Sequence, residues 1–566
     1  MSDVAVAPDR VTVEVVRAGL VAAAEQMATV IERSARSQVI REMLDYSTAV
    51  FDLSGGIIAQ SCRIPVHLNS MTRALRMILE KRYPIEEWSD GDIIATNDPY
   101  LGGQHLPDVM TFSPVFADGE RVAICGTLGH QLDLGGRASA SYGADATEVF
   151  QEGFRISGSR IADKGTFNQL FFELLSANIR VPEKTLADLR AQIASLEIGK
   201  SDIQRLVKRY GVEGFLSSLA DLVRQSETRM RQVIETLPDG LFVAEDWVDG
   251  DGLGDEPVKV CVAVRREGSD LIVDFDGTGE QVMGPINCPL GATESSVYYA
   301  VIAMLAPDVS SNYGCYLPIR VIAEEGTIVN PTEPAAVVGR NVLTHRIANV
   351  VTAALSAALP DRAVAAYYGN SNVYIFSQRG GQGRRKVLFE IEVGGWGASG
   401  RRDGHDCLSA GVHNLMNVPI ELTEQEFPVR VVSYSLRPDS GGVGRYRGGL
   451  GVTRVVEVLE DCEFSSQFDR VKFPPPGWAG GGPGATARIA VVRDGREQEL
   501  PGKVLAFPLV RGDRVILETQ GGGGFGDPAA RDRAAVEHDL VEGKVTLARA
   551  AEPLRTAAAA DVPVVA

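Results

Sequence analysis

Cysteine and histidine are scarce in this chain, basic residues are in deficit, and long apolar runs are missing. The seven cysteines stand apart at 62, 125, 261, 288, 315, 407 and 462 with no CxxC pair. That spacing argues against a cysteine metal cluster or a disulfide framework and for buried thiols. No stretch reaches the roughly 18 uninterrupted apolar residues of a spanning helix. The opening MSDVAVAPDR puts acids and a proline where a leader needs a basic and then an apolar region, so a cytoplasmic protein without a membrane partner is expected. Lysine and arginine number 56 against 74 acids, a formal charge of −18, without the basic stripe of a nucleic-acid surface.

Several catalytic signatures are missing as well. IGKS (198–201) resembles the end of a phosphate loop, but Ala194 stands where the loop requires glycine. Its surroundings also continue a helical pattern, whereas a phosphate loop follows a strand. No GxSxG elbow presents a serine nucleophile. Any ATP requirement is therefore left to another chain. No fixed-period repeat is found.

What is present is a large amount of core-forming sequence. With 566 residues and 45% hydrophobic content, the chain exceeds one ordinary domain, and two to four substructures are expected. Residues 11–43 read as one amphipathic helix, with Asp45 where the pattern stops. FDLSGGIIAQ (51–60) reads as strand, Gly-Gly turn, strand. A helix is expected over 68–83 with Asn69 or Ser70 as its cap. VMTFSPVF (109–116) and RVAICGTLGH (121–130) read as paired strands around an Asp-Gly turn. Further helices are expected over 183–239, 292–305 and 341–359, and a short one follows the glycine run QGGGGFGDP (520–528), itself either a flexible linker or a packed turn. The fold expected is mixed α+β and multidomain. It divides into an N-terminal metal-site region (1–182), a helical segment (183–250), a mixed α/β centre (251–430) and a glycine-rich β region with a C-terminal helix (431–566).

The residues best suited to chemistry lie in two glycine-framed segments, GGQHLPD (102–108) and GHQLDLGG (129–136). His105 and Asp108 precede one expected strand and His130 ends the other, so one sheet edge can bring them together. Two imidazoles with carboxylates, Asp45 among them, suit Zn²⁺, Mn²⁺ or Fe²⁺. Hydrogen bonds that brace the loops explain the same residues. Asp133, three residues after His130, is either the acceptor that orients His130 or a turn cap. Asn97 and Asp98 need only a turn role, and His67 reads as a bystander. Asp403, His405 and Asp406 form either a second metal group or a structural loop. Arg340, Arg401 and Arg402 are candidate receptors for a carboxylate or phosphate, or plain surface charges.

Taken in order, DYSTAVFDLSGGIIAQ (45–60), NDPYLGGQHLPDV (97–109), HQLDLGG (130–136), GPIN (284–287), PAAVVGR (334–340), the long run from Asn417 to Gly449 and GGGGFGDPAARD (521–532) resemble the hydantoinase B/oxoprolinase family. The resemblance runs nearly end to end and extends to the related subunit of ketone carboxylases. It implies a fold of the hydantoinase B type and a zinc or manganese site on Asp45, His105, Asp108 and His130. It also implies a hetero-oligomer with an A-type subunit that binds ATP and Mg²⁺ and phosphorylates a small cyclic amide. His130 and Asp133 are then the expected catalytic pair, with Asp133 or another nearby carboxylate helping to deprotonate the attacking water. Gln131 departs from the pattern, since many amide-hydrolysing members have a second histidine there. The alternatives are a ketone carboxylase subunit and a non-catalytic scaffold.

Overall fold

The computed structural model describes residues 9–379, 385–409 and 411–550; the first eight residues, read above for a leader, lie outside these. Helix α1 (Arg10–Ser34) starts on Asp9, whose carboxylate accepts the amides of Val11 and Thr12, and its stripe Val13, Val16, Leu20, Met27, Ile31 is buried. The single helix expected over 11–43 is interrupted. The amides of Arg36 and Ser37 bond the Asp188 carboxylate instead, and Ser37 caps a separate turn, α2 (Gln38–Arg41). A buried acid binding two successive amides competes with the helical ladder, and periodicity contains no sign of it.

Strands β1 (Tyr46–Phe51) and β2 (Ile57–Gln60) form the expected hairpin. Helix α3 (Pro65–Lys81) begins earlier than expected and has no side-chain cap; proline at its start supplies a preset φ and lacks an N–H that would go unpaired. Strands β3 (Ile93–Thr96), β4 (Asp108–Ala117), β5 (Glu120–His130), β6 (Ser159–Asp163) and β7 (Thr166–Phe167) complete a seven-stranded sheet. Its order is β2-β1-β5-β4-β3-β6-β7. β4 and β5 turn through Asp118 and Gly119, both at positive φ, as a two-residue hairpin loop demands.

Helix α4 (Gln169–Asn178) leads into α5 (Pro182–Ile234), which is kinked at Gly211. Together α1 and α5 cover one face of the sheet, sharing a core with Val50, Val109 and Cys125. The other face meets α3, then α6 (Leu290–Leu305) and α7 (Asn341–Ala358). These pack on a second sheet of β8 (Leu241–Val248), β9 (Val258–Glu267), β10 (Asp270–Asp274) and β11 (Ile319–Ile322), ordered β11-β10-β9-β8. With both faces of the central sheet covered, β1 is buried throughout instead of alternating.

The remaining strands are β12 (Asn372–Arg379), β13 (Arg385–Glu392), β14 (Val429–Leu436), β15 (Val452–Val458), β16 (Cys462–Gln467), β17 (Arg488–Arg493), β18 (Arg496–Leu500), β19 (Lys503–Leu509) and β20 (Arg514–Glu518). They form two sheets, β13-β12-β16-β19 and β14-β15-β20-β17-β18, around Phe376, Phe464, Phe468, Val515 and Leu517. The glycine run before Pro528 is a packed turn: Gly521–Gly524 are buried, and a Cβ on Gly522 would stand 1.9 Å from the Trp396 carbonyl oxygen. The expected short helix follows as α8 (Arg533–Val541). The architecture is mixed α+β and multidomain. Among the described residues, no helix is long and apolar enough to cross a membrane.

Candidate metal centre

Three neighbouring strands end at one point. Asp108 opens β4 and sits opposite His130, the last residue of β5. Asp45 immediately precedes β1, which pairs with β5, and the His130 amide donates to the Asp45 carbonyl. The predicted pairing of β4 with β5 therefore places Asp108 beside His130, and the pairing of β1 with β5, which periodicity did not predict, adds Asp45. His105 arrives from the loop before β4. That loop needs its glycines: Gly102 has φ +85° and lies against the backbone of Ala74. Asn97 fixes the loop from behind, donating to the carbonyls of Leu106 and Phe154 and accepting the Ile156 amide.

The donor atoms face one another. His105 Nε2 is 3.1 Å from Asp108 Oδ2, His130 Nδ1 is 3.1 Å from Asp108 Oδ1 and 3.9 Å from Asp45 Oδ2. His105 Nδ1 lies 3.0 Å from the Val338 carbonyl oxygen, a contact that requires N–H there and leaves the lone pair on Nε2. Atoms bound about 2.0–2.2 Å from one ion stand about 3.0–3.5 Å apart, so His105, Asp108 and His130 have the spacing of a ligand set. Asp45 adds an oxygen at its edge. Nitrogen and oxygen donors of this kind fit zinc or manganese.

His67 corrects the sequence reading. Far from a bystander, it projects from the first turn of α3, with Nε2 3.5 Å from Asp45 Oδ1 and 3.9 Å from Asp108 Oδ2. The only hint in the sequence was three histidines within residues 67–130. Arg340, just ahead of α7, closes another side: Nη2 donates to Asp108 Oδ2 at 2.8 Å and lies 3.2 Å from His105 Nε2. Tyr142 and Phe389 form an aromatic wall, with the Phe389 ring centroid 5.2 Å from that of His130. Phe389 comes from β13, so the C-terminal sheets close a site that the N-terminal sheet opens.

Burial dominates the electrostatics. It lowers His67 to about 3 and His105 to about 4, against the pull of Asp108, which leaves both rings in the neutral form that binds metals. Burial also pushes Asp45 up to about 6, opposed by His130. Asp108 feels the same penalty, yet His105 and His67 hold its carboxyl well below the ordinary range. Behind the centre, Glu152 Oε1 accepts the amides of Val337 and Val338, each at 2.7 Å. The Val338 carbonyl in turn holds His105, and the Val337 carbonyl accepts the Arg340 amide. The other oxygen, Oε2, is buried without a hydrogen-bond partner, and burial pushes this acid up to about 8.

Asp133 is not brought to His130. Its carboxylate accepts the amides of Gly135 and Ala140 and pairs with Arg180, which spends it on the 133–141 loop; Asp108 faces His130 Nδ1 instead. Gln131 turns toward α5, donating to Gln192 Oε1 at 2.9 Å. The second metal group considered at 403–406 does not form either. Asp403 is bound by Arg531 and the Arg447 amide, and Asp406 by Arg447 and Lys544, so neither carboxylate is left for a cation. Arg401, Arg402 and His405 line a separate cavity of about 640 Å³ with Tyr367 and Trp396.

Imidazoles and carboxylates gathered at the shared end of three strands, under an aromatic wall that Phe389 of a second β unit completes, define a mixed α+β protein with a buried candidate divalent-metal centre. The family model for hydantoinase B/oxoprolinase matches residues 9–528, and the chain belongs to that family. An uncharacterized protein of Methanocaldococcus jannaschii is 36% identical over 95% of this chain and 94% of its own. The putative B subunit of a D-/L-hydantoinase from a Pseudomonas species (strain NS671) is 32% identical over 96% of this chain and 94% of its own. The crystal structure of an ATP-dependent caprolactamase from Pseudomonas jessenii matches with a TM-score of 0.89 at 29% identity, covering 96% of this chain and 95% of that one.

Proposed function

We propose that this chain is the metal-bearing B subunit of an ATP-dependent cyclic amide hydrolase acting on a hydantoin, 5-oxoproline or lactam ring. The observation that carries the reading is the convergence of His105, Asp108 and His130 into one ligand-spaced cluster, in a chain similar end to end to an ATP-dependent caprolactamase. Asp45, His105, Asp108 and His130 would hold zinc or manganese, with His67 as a further donor. Bound there, the ion supplies a Lewis acid that makes water acidic near neutrality, about pH 7.

The chain's own residues do the positioning. Val338 fixes the His105 tautomer, Arg340 holds one oxygen of Asp108, and Tyr142 with Phe389 keeps bulk water out. Asp45 Oδ1, beside His67 Nε2, is the proton acceptor for the attacking water, the role first expected of Asp133. ATP and Mg²⁺ belong to an A-type partner subunit. Phosphorylation of the amide oxygen there turns an unreactive carbonyl into an imidate-like electrophile. Water attack at that carbon and expulsion of the ring nitrogen, which takes up a proton, then open the ring to an acyl phosphate, and a second water releases the amino or carbamoyl acid and phosphate, with ADP as the other product.

The test is co-expression with an A-type subunit, followed by assay on a panel of cyclic amides and ketones with labelled bicarbonate present. Ring-opened acid formed only with ATP, and no label fixed, is the expected result. Ketone consumption with fixation of label would replace this reading with a carboxylase, and undiminished turnover in His130→Ala would reduce the chain to a scaffold.

A further inference from the structure

Arg340 is a buried cation with a divided commitment. It is 5% exposed, and among the described residues its one ion-pair partner is Asp108, at 2.8 Å. That carboxylate also faces His105 and His130, and in the proposed centre it is a metal ligand. Its negative charge is then claimed by a divalent ion, and the guanidinium beside it is left with a shared oxygen as its one ion-pair contact among the described residues. A buried guanidinium without an anion of its own is costly. Nη2 makes the contacts to Asp108 and His105, while Nε is buried with no hydrogen-bond partner. The side chain thus has donors to spare.

The backbone adds to this. Arg340 sits at the N-terminus of α7, an 18-residue helix whose first three turns are buried. The amides of Val342, Leu343 and Thr344 close onto the carbonyls of Gly339 and Arg340, so the positive group aimed at the centre is the Arg340 guanidinium and not these N–H groups. Two carboxylates against one guanidinium and one divalent ion leave a positive charge in excess, a balance that suits an anion.

We propose that Arg340 is the oxyanion receptor of the centre: with Asp108 committed to the ion, its free donors bind an anionic oxygen of the reacting molecule, on a phosphoryl or a carboxylate group. The proposal rests on the metal centre above and not on the ring-opening reaction. Arginine meets both anions with a planar fork that lysine cannot copy.

The experiment uses the full chain loaded with Mn²⁺, whose unpaired electrons speed relaxation of nearby nuclei. Inorganic phosphate is followed by ³¹P and acetate by ¹³C relaxation, with Mn²⁺ affinity measured separately by electron paramagnetic resonance. Saturable enhancement for one anion is expected in the wild type, and the anion affected tells phosphoryl from carboxylate recognition. In Arg340→Gln, anion affinity falls about tenfold or more while Mn²⁺ affinity stays within about threefold. Arg340→Lys keeps the buried charge and falls in between, and Arg401→Gln, in the separate cavity, matches the wild type. Anion binding unchanged in both Arg340 variants overturns the proposal, as does anion binding lost only in step with Mn²⁺. No enhancement in a wild type that does bind Mn²⁺ overturns it too. A wild type that takes up no Mn²⁺ removes the metal centre and this inference together, whereas anion binding without any ring opening removes only the reaction.

Discussion

Each residue of the centre is held by a partner far away in the chain. His105 is fixed by Val338 and His130 faces Asp108, while Arg340 contacts His105 across 235 positions. His105, Asp108 and His130 were legible because they stand in short glycine-framed segments at predicted strand ends. His67 and Arg340 were not singled out as neighbours of those three, because their place depends on where α3 and α7 dock, and local pattern holds no information on docking. If His67 is a donor, His67→Ala should weaken zinc or manganese binding about tenfold or more in chelator competition; unchanged affinity would return it to the role of bystander. Glu152 gives a pH prediction. Its folded pKa is raised from 4.5 to about 8, so the folded chain holds a proton there that the unfolded chain has already released. Its contribution to stability is therefore full below about pH 4.5 and is lost as pH rises to about 8, at no more than about 1.4 kcal/mol per pH unit. Glu152→Gln keeps an acceptor for the two amides and cannot ionise. Its melting temperature should decline less than the wild type's between pH 5 and 8, and identical slopes would show that Glu152 does not titrate in that window.

At the scale of elements, the long periodic segments were the readable ones. α6 and α7 fall within a few residues of the predicted ranges, and the β4–β5 hairpin has its Asp-Gly turn. The break after α1 was not readable, since Asp188 on α5 causes it. The glycine run at 521–524 looked equally like a linker, because composition does not say whether backbones approach. Here they do, and two Gly→Ala changes should contrast sharply. Gly522→Ala would force a methyl against the Trp396 carbonyl and should cost about 3 kcal/mol or more. Gly495→Ala, at φ +73° with nothing within 4 Å, should cost only about 1 kcal/mol of backbone strain. Denaturant melts of both variants check this, and equal losses would contradict the close packing.

At the scale of the molecule, the centre exists only when distant parts meet. The N-terminal sheet and its loops provide four of its residues and Tyr142 of the aromatic wall, α3 a fifth residue, the loop before α7 the arginine, and β13 Phe389. The helical segment expected at 183–250 contributes α5 to the core of the first region, where Leu189, Leu196 and Ile203 pack with Val50 and Cys125. The ATP-binding partner is proposed on the family to which the chain belongs, not on the fold or on the missing phosphate loop. Metal removal from the assembled enzyme tests the centre most directly. ATP-dependent ring opening should vanish when this subunit is stripped of metal and return as zinc or manganese is added back, saturating near one ion per chain, while a complex carrying His130→Ala should stay inactive. Full-rate turnover by the stripped complex would contradict a metal-dependent reaction at this site.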